Sequence, residues 1–220
     1  MNLFDILGPV MVGPSSSHTA GAARIGYIAA RLLKDRPVDA RILLHGSFAT
    51  TGVGHGTDRA LIAGILGMKP DDIRIPDSFQ IAAAEGLTYS FKNGNIRDAH
   101  PNTAVLELTG EKGRTIAVQG ASIGGGRIMI QKIDGIDTQF SAEKPTLIVH
   151  NLDRPGHVAQ VTSMLAENEV NVASMQLFRD RRGGYAVMVI ETDQPVPAQS
   201  IQWLEGLDGI LKVTYINMDD

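Results

Sequence analysis

Residues 13–34 read GPSSSHTAGAARIGYIAARLLK, and they join a polar loop to a strongly patterned helix. In the second half of this stretch, apolar side chains recur with the spacing of one helical face: Ile25, Ile28, Ala29, Leu32 and Leu33. This spacing predicts an amphipathic helix over residues 19–34 that buries one face against other elements. Arg36-Pro37 ends the helix because the residue before a proline is disfavoured in helical geometry.

Hydroxyl groups and an imidazole fill five consecutive positions, residues 15–19, immediately before that helix. Unpaired backbone N–H groups and the positive end of the helix dipole suit this position to an anion, such as phosphate, sulfate or the carboxylate of a small acid. The same residues also suit a helix N-cap. Three serines and a threonine exceed what one cap needs, so a ligand site and a redundant cap both stay open on the residues alone.

The composition is that of an ordinary globular protein, with 43% hydrophobic and 20% charged residues over 220 positions. The formal net charge of -4 argues against a nucleic-acid binder, which usually has a basic surface. Neither a membrane-length apolar run nor a signal peptide is evident, so we expect a cytoplasmic protein without a membrane partner. The sequence contains no cysteine, which excludes a disulfide, a thiolate nucleophile and a cysteine-held metal in this chain.

The first part of the chain predicts a mixed α/β domain that ends near Ala142. Its strands are predicted at 40–44, 88–91, 103–108, 115–118 and 128–133. A second helix is predicted over 58–66, with Thr57 as its cap and Gly67 as its stop. Asn93-Gly94 is a hairpin signal after the strand at 88–91.

A polar, proline-bounded stretch at 141–145 predicts a linker. After it, strands at 146–150, 172–179, 185–191 and 210–216 alternate with helices at 156–168 and 198–205. The first of these helices has one apolar face: Val158, Val161, Thr162 and Leu165. The β-α-β-β-α-β order is ferredoxin-like. The predicted fold class is therefore α+β, with a mixed α/β domain at 1–142 followed by a ferredoxin-like domain at 146–220.

The turn NLDRPGH at 151–157 joins the first strand of the second domain to its first helix. Together with the element order and the Asn168-x-x-Asn171-Val172 passage, it resembles an ACT domain, a small regulatory module of amino-acid metabolism. The resemblance implies a regulatory amino-acid site in this turn: Asn151, Asp153, Pro155 and Gly156. The alternative is a tight turn in a domain that only pairs subunits through its open sheet edge.

Further polar, glycine-rich junctions lie at predicted element ends of the first domain, where loops from one sheet edge can converge. They are HGS at 45–47, TGVGHGTD at 51–58, HPNT at 100–103 and SIGGGR at 122–127. Each is weak by itself, since a lone histidine is commonly structural and a glycine run can be only a turn. Together they predict a site.

These strings, with GPSSSHT at 13–19 and the ACT-like domain, resemble the beta subunit of the iron–sulfur-dependent L-serine dehydratase family. The resemblance covers essentially the whole chain and implies that residues 1–142 form an allosteric-substrate-binding-like domain. It also implies a 4Fe-4S cluster held by cysteines. Because this chain has none, the cluster must lie on a separate, cysteine-bearing alpha subunit, and no metal ligand is expected here. We therefore expect a heterodimer that oligomerises further through the ACT domain, and no activity from this chain alone.

The reaction implied by the resemblance converts L-serine to pyruvate and ammonia. His18 and His55 are the catalytic candidates, because an imidazole titrates near neutral pH, and the sequence does not divide the roles between them. The substrate-binding candidates are the hydroxyl cluster and two later positions: Ser15, Ser16, Ser17, Thr19, Asn102 and Ser122. The rival interpretation is a serine-sensing regulatory module that does no chemistry, similar to the regulatory end of some phosphoglycerate dehydrogenases. A structural dimerisation subunit is compatible with either.

Overall fold

The computed structural model describes residues 10–218 of the chain. The chain divides between Gly135 and Ile136 into two compact units. Both contain helices and strands, which confirms the predicted α+β class. The domain limits predicted from the sequence, 1–142 and 146–220, stay predictions.

The first unit begins with a π-helical segment that runs directly into its first α-helix. Its helices are the π segment Ser16–Gly21, α1 Ala22–Leu33, α2 Ser47–Thr51, α3 Thr57–Ile65 and α4 Ser78–Glu85, with 3₁₀ turns at Val53–His55 and Ile75–Asp77. Its strands are β1 Pro37–His45, β2 Thr88–Gly94, β3 Thr103–Gly110, β4 Thr115–Gly124 and β5 Arg127–Ile133. These strands are ordered β2-β1-β3-β4-β5. Strands β1 and β2 are parallel, and the other neighbouring pairs are antiparallel.

Helix α1 lies against α3 and against β3 and β4. All five residues of its predicted apolar stripe are buried, as the spacing requires. The backbones of α1 and α3 approach closely where Gly26 faces the Leu61 carbonyl and Gly64 faces the Ala23 carbonyl. A Cβ atom at either glycine would overlap the neighbouring backbone, so these two positions set the distance between the helices.

The predicted hairpin at Asn93-Gly94 is wrong. Strand β2 runs through both residues, with Asn93 opposite Leu44 and Gly94 opposite His45 in a parallel ladder. Pairing with β1 gives the backbone of these two residues hydrogen-bond partners, so the chain continues as a strand and does not turn. Residues 95–102 then lead to β3. Gly94 also lies against the Leu43 side chain, where a Cβ atom would be crowded.

The predicted cap of the second helix is wrong as well. Gly56, at φ 69°, is the N-cap of α3, and no side chain caps this helix. Thr57 is the first helical residue, and its backbone N–H donates to the Gly52 carbonyl at 2.8 Å. Its side chain is buried, so it packs rather than caps.

The second unit has the predicted β-α-β-β-α-β order, preceded by a strand that the sequence did not indicate, β6 Ile136–Phe140. The remaining elements are β7 Thr146–Leu152, α5 His157–Glu167, β8 Val172–Arg179, β9 Tyr185–Thr192, α6 Ala198–Glu205 and β10 Ile210–Ile216. Strands β10-β7-β9-β8 form an antiparallel sheet. The core of the unit includes Leu147, Val149, Leu165, Met188, Leu204 and Val213.

Helix α5 presents a slightly different face from the predicted one. Its buried residues are His157, Val161, Met164 and Leu165, whereas Val158 is 40% exposed. The helix begins at His157, so the stripe with i, i+4, i+7 and i+8 spacing starts one residue earlier than expected. Within residues 10–218, the helices are too short or too polar to cross a membrane.

Candidate functional site

The candidate site is built around His18, which lies inside the π-helical segment Ser16–Gly21. Ser15 precedes the segment in extended geometry, and its Oγ accepts a hydrogen bond from the His18 backbone N–H at 3.1 Å. The Thr19 N–H donates to the Ser15 carbonyl at 2.8 Å. Ser15 is therefore the cap of this segment, which accounts for one of the three serines. Short π-helical turns occur frequently at functional sites.

The His18 imidazole contacts side chains of α2. Its Nε2 lies 3.1 Å from Ser47 Oγ and 3.1 Å from Thr51 Oγ1. The Phe48 ring packs edge-on against it, with 5.4 Å between ring centroids. Ser47 and Thr51 belong to the predicted polar junctions at 45–47 and 51–58, but neither is among the predicted catalytic or substrate-binding residues. Their i, i+4 spacing places both hydroxyls on one face of α2.

The loop at 100–103 fixes the start of α2. The Ser47 N–H donates to the Pro101 carbonyl at 2.7 Å. Gly46, at φ 58°, lies so close to Pro101 that a Cβ atom would overlap it. Within the loop, the Asn102 N–H donates to His100 Nδ1 at 3.1 Å, and the Thr103 hydroxyl donates to the His100 carbonyl at 2.7 Å. Two of the predicted polar junctions thus meet in one loop-to-loop contact.

His55 lies beside His18, with 4.9 Å between the ring centroids. The Thr19 hydroxyl donates to the His55 carbonyl at 3.0 Å, and Thr19 is buried. The structure therefore brings the two predicted catalytic histidines together. It also shows that the Thr19 hydroxyl is already engaged within the chain.

Burial lowers the pKa of His18 below the ordinary histidine value, and the nearby His55 lowers it further. A hydrogen bond with the Ser47 backbone acts in the opposite direction and is the smallest of the three causes. His18 is consequently a neutral imidazole at neutral pH. A neutral imidazole that is partly buried can accept a proton from a bound molecule.

Ser16 and Ser17 are half-buried in the first turn of the π-helical segment. Neither hydroxyl hydrogen-bonds to another group within residues 10–218. They differ in this from Ser15 and Thr19, whose side chains both bond within the chain. The two free hydroxyls are the ones that a ligand could use.

Ser122 and Asn102 are adjacent, because the Ser122 N–H donates to the Asn102 carbonyl at 2.9 Å. Ser122 is fully buried against Gly21, the last residue of the π-helical segment, where a Cβ atom would overlap the serine side chain. Ser122 Oγ and Asn102 Oδ1 are both buried without a hydrogen-bond partner among the described residues. Buried polar atoms are normally paired, so these two require a water or a ligand.

The predicted regulatory turn of the second unit has its own geometry. Asp153 Oδ2 accepts hydrogen bonds from the Gly183 N–H and from Arg179 Nη1, both at 2.9 Å. These two contacts, the Gly183 bond first, hold the pKa of Asp153 below its usual range. The carboxylate of Asp153 is thus occupied in fixing the β8–β9 turn.

Two other atoms near this turn are unpaired. Asn151 Oδ1 and His157 Nε2 are buried and have no partner within residues 10–218. Gly156 stands between them in sequence at φ 103°, a conformation that favours glycine. Pro155 precedes it and is exposed.

His150 is a buried histidine that the sequence analysis did not single out. It lies on β7 with 1% exposure, and its Nδ1 hydrogen-bonds to the Tyr185 hydroxyl. Burial, with a smaller contribution from Lys212, lowers the pKa of His150 to about 4. Its position inside an apolar strand was the signal that it would be buried.

Among the described residues, no group of three or more histidine, aspartate or glutamate side chains could hold a metal ion. The sequence has no cysteine. The residues of this chain therefore do not fit an iron–sulfur cluster, which needs thiolate ligands.

Comparison with known proteins gives consistent results for both units. The family model described as serine dehydratase beta chain matches residues 2–88, and the ACT domain model matches residues 145–208. A Bacillus subtilis (strain 168) protein named probable L-serine dehydratase, beta chain, is 42% identical over 215 residues, which cover 98% of this chain and 97% of that one. The L-serine dehydratase beta chain of Peptoniphilus asaccharolyticus is 37% identical over 216 residues, with the same coverage of 98% and 97%.

A more distant similarity extends to another class of protein. The D-3-phosphoglycerate dehydrogenase of Bacillus subtilis (strain 168) is 24% identical over 198 residues, which cover 90% of this chain but 37% of the dehydrogenase. The two beta chains instead align from end to end with this sequence at considerably higher identity. The chain therefore belongs to the serine dehydratase beta chain family and carries an ACT domain.

Proposed function

We propose that this chain is the beta subunit of a heteromeric L-serine dehydratase, a lyase that converts L-serine to pyruvate and ammonia. The observation that carries the proposal is the pairing of His18 and His55 at 4.9 Å, directly beside the hydroxyl-rich start of a helix. An amino-acid dehydratase needs a base to remove the α-proton and anion-binding groups to hold the substrate carboxylate. The identity of 37% and 42% to two named beta chains gives independent support.

The reaction determines what the site must supply. Serine loses its α-hydrogen as a proton and its β-hydroxyl as hydroxide, which together make one water. The resulting aminoacrylate tautomerises to an imine, and the imine takes up one water to give pyruvate and ammonia. Atoms and electrons balance without an oxidant or reductant, so the reaction needs proton transfer, substrate orientation and charge stabilisation from the active site.

His18 takes the α-proton in this proposal. Its lowered pKa keeps the imidazole neutral at neutral pH, which is the form that can act as a base. His55, the neighbouring imidazole, takes the second role and orients the substrate or returns a proton. Three side chains of α2 contact the His18 ring: Ser47, Phe48 and Thr51. The base is therefore held in one orientation.

The carboxylate of serine binds to the free hydroxyls of Ser16 and Ser17. Ser15 and Thr19 support the segment that presents them. Ser122 offers an unpaired hydroxyl next to the same segment, and the unpaired Asn102 Oδ1 can accept a hydrogen bond from the ammonium group of serine. Hydrogen bonds to the carboxylate would also stabilise the enolate-like charge that develops when the α-proton leaves.

The 4Fe-4S cluster expected for this family lies on the alpha subunit in this proposal. The supporting observation is the composition of the chain, which has no cysteine to ligate iron. When bound, a cluster iron with an open position supplies a Lewis acid for the departing hydroxyl. The beta chain is cytoplasmic, and the sheet edges β8 and β10 of its ACT domain are suited to further oligomerisation.

Anaerobic activity with L-serine tests this function directly. We expect no pyruvate from this chain alone and turnover when a cysteine-bearing alpha subunit with a loaded cluster is added. In that complex, His18→Ala should lower kcat by about 10²- to 10⁴-fold, the usual contribution of a general base. Thr50→Val, a substitution in α2 at a residue that does not contact His18, should leave activity unchanged.

Two results would contradict the proposal. A cluster-loaded complex without dehydratase activity would favour a serine-sensing module, and serine binding to the isolated chain would then identify it. Near-normal turnover of His18→Ala with an intact cluster would remove His18 from the chemistry.

We propose, separately, that the ACT domain binds an amino acid at the turn formed by Asn151, Asp153, Pro155 and Gly156. The unpaired Asn151 Oδ1 and His157 Nε2 favour it, because a ligand ammonium or hydroxyl group could satisfy them. Titration calorimetry of the full chain with L-serine tests this site. Asn151→Ala should abolish the heat of binding at this turn, whereas Ser16→Ala should preserve it. A wild-type chain without any heat signal, or with a signal that only Ser16→Ala removes, would leave the domain with an assembly role.

A further inference from the structure

Three polar atoms form a closed triangle at the candidate site. Ser47 Oγ and Thr51 Oγ1 each lie 3.1 Å from His18 Nε2, and they lie 3.1 Å from each other. A fourth contact joins Thr51 Oγ1 to the Ser47 carbonyl oxygen at 2.9 Å. This network determines which nitrogen of His18 carries the hydrogen.

The fourth contact fixes the direction of the others. A carbonyl oxygen only accepts hydrogen bonds, so the single hydroxyl hydrogen of Thr51 goes to the Ser47 carbonyl. Thr51 Oγ1 is consequently an acceptor toward both of its other neighbours. Ser47 then donates its hydroxyl hydrogen to Thr51, and His18 must donate from Nε2.

The opposite tautomer does not satisfy the same contacts. If Nε2 had no hydrogen, its lone pair would face the lone pairs of Thr51 Oγ1 at 3.1 Å, which is repulsive. If the ring were flipped, a carbon atom would face both hydroxyls, and their contacts with His18 would be lost. The edge-on Phe48 ring further restricts rotation of the imidazole.

We propose that Ser47 and Thr51 are positioning residues that hold neutral His18 with its hydrogen on Nε2, so that Nδ1 is the nitrogen that takes the α-proton of serine. This inference rests on the proposed function for the identity of the proton donor. The tautomer itself depends only on the network within this chain. Both hydrogen bonds between the His18 ring and side chains involve Nε2, which leaves Nδ1 as the nitrogen that faces substrate.

Nitrogen-15 NMR of the histidine rings in the full-length chain tests the tautomer without any catalytic assay. At neutral pH, we expect an N–H-type resonance for Nε2 of His18 and an unprotonated-type resonance for Nδ1. Thr51→Val keeps the side-chain shape but removes the acceptor, and it should shift His18 toward a mixture of tautomers. Thr51→Ser should restore the wild-type pattern.

Thr50→Val is the matched control. The Thr50 hydroxyl donates to the Gly46 carbonyl at 3.2 Å, which is the same i–4 bond that Thr51 makes, but it does not contact His18. We expect Thr50→Val to leave both ring resonances unchanged. An Nδ1–H tautomer in the wild-type chain, or an unaltered tautomer in Thr51→Val, would overturn the inference.

Activity of the complex with the alpha subunit gives the functional readout. Thr51→Val should lower kcat by about 10- to 100-fold through misplacement of the base, with little change in KM. Thr51→Ser should recover most of that loss. If the wild-type complex has no dehydratase activity, the proposed function fails while the NMR result still decides the tautomer. If Thr51→Val shifts the tautomer but leaves kcat unchanged, Nδ1 is not the base.

Discussion

Thr19 donates its hydroxyl hydrogen to the backbone carbonyl of His55, 3.0 Å away and 36 positions later in the chain. This bond joins the two most distinctive strings of the sequence, residues 13–19 and 51–58. It places the His18 and His55 rings beside each other although the two residues belong to different elements. The hydroxyl of Thr19 therefore positions His55 through the His55 backbone carbonyl.

Thr19→Val should reduce stability and separate the two histidines. Valine matches the shape of threonine but cannot donate a hydrogen bond, so the bond from the buried Thr19 side chain to the carbonyl of the exposed His55 would be lost. We expect a loss of about 0.5 to 1.5 kcal/mol in the free energy of unfolding, measured by urea denaturation. Thr19→Ser retains the hydroxyl and should lose less. Equal stability of Thr19→Val and the wild-type chain would show that the bond contributes nothing.

His55→Gln should raise the pKa of His18. Burial is the main reason that this pKa lies below the ordinary histidine value, and the charge of His55 is the second. Removing the charge therefore recovers part of the shift, and the pKa should remain below the ordinary value because burial persists. Proton NMR titration of the His18 ring in the full chain measures the change.

His55→Lys is the matched variant for that titration, because lysine places a positive charge at the same position. Its His18 pKa should stay at or below that of the wild-type chain. A rise in both variants would indicate that the His55 ring acts through packing and not through its charge.

Local periodicity explains which parts of the fold could be predicted. Helix α1 and the second unit have strong apolar patterns, and Leu147, Val149 and Leu165 are buried as their positions indicate. Strand β2 was misread at its end because Asn93-Gly94 favours a turn in isolation, whereas parallel pairing with β1 extends the strand. Helix α2 has only five residues, which is too few for a period to be recognised.

The sequence predicts candidate residues for the site, but it does not predict their contacts. The density of polar residues indicated His18, His55 and the neighbouring hydroxyls. The π-helical geometry of Ser16–Gly21, which turns His18 toward α2, has no sequence signature of its own. The hydrogen bonds to Ser47 and Thr51 therefore became visible only when the two segments were placed together.

His150 should make the stability of the chain depend on pH. Its folded-state pKa of about 4 lies below the value of about 6.5 for an unfolded chain, so the unfolded state binds more protons between these two values. Stability from this group is complete above about pH 6.5 and is lost as the pH falls toward 4. The largest possible loss is about 3 kcal/mol.

His150→Gln removes the titrating group while keeping a polar side chain near the Tyr185 hydroxyl. The free energy of unfolding of this variant should decline less between pH 6.5 and 4 than that of the wild-type chain, as measured by urea denaturation at several pH values. Above this range the two curves should run parallel. Identical slopes throughout would mean that His150 becomes protonated without cost in the folded state.

Gly26→Ala should force α1 away from α3. A Cβ atom at position 26 would overlap the Leu61 carbonyl oxygen and crowd the Ile65 backbone nitrogen, and neither backbone atom can move without shifting the whole of α3. Overpacking of this kind typically costs about 1 to 3 kcal/mol, even though alanine favours a helix more than glycine does. Gly206→Ala is the control, because its backbone is in an ordinary conformation and its nearest neighbour to a Cβ atom, the Trp203 carbonyl oxygen, is 3.5 Å away. Thermal unfolding should show a lower Tm for Gly26→Ala and an unchanged or higher Tm for Gly206→Ala.

Because α1 follows directly from the π-helical segment, Gly26→Ala should also displace His18 and change its ring resonances. An unperturbed His18 in a destabilised variant would show that the packing of α1 on α3 and the position of His18 are independent.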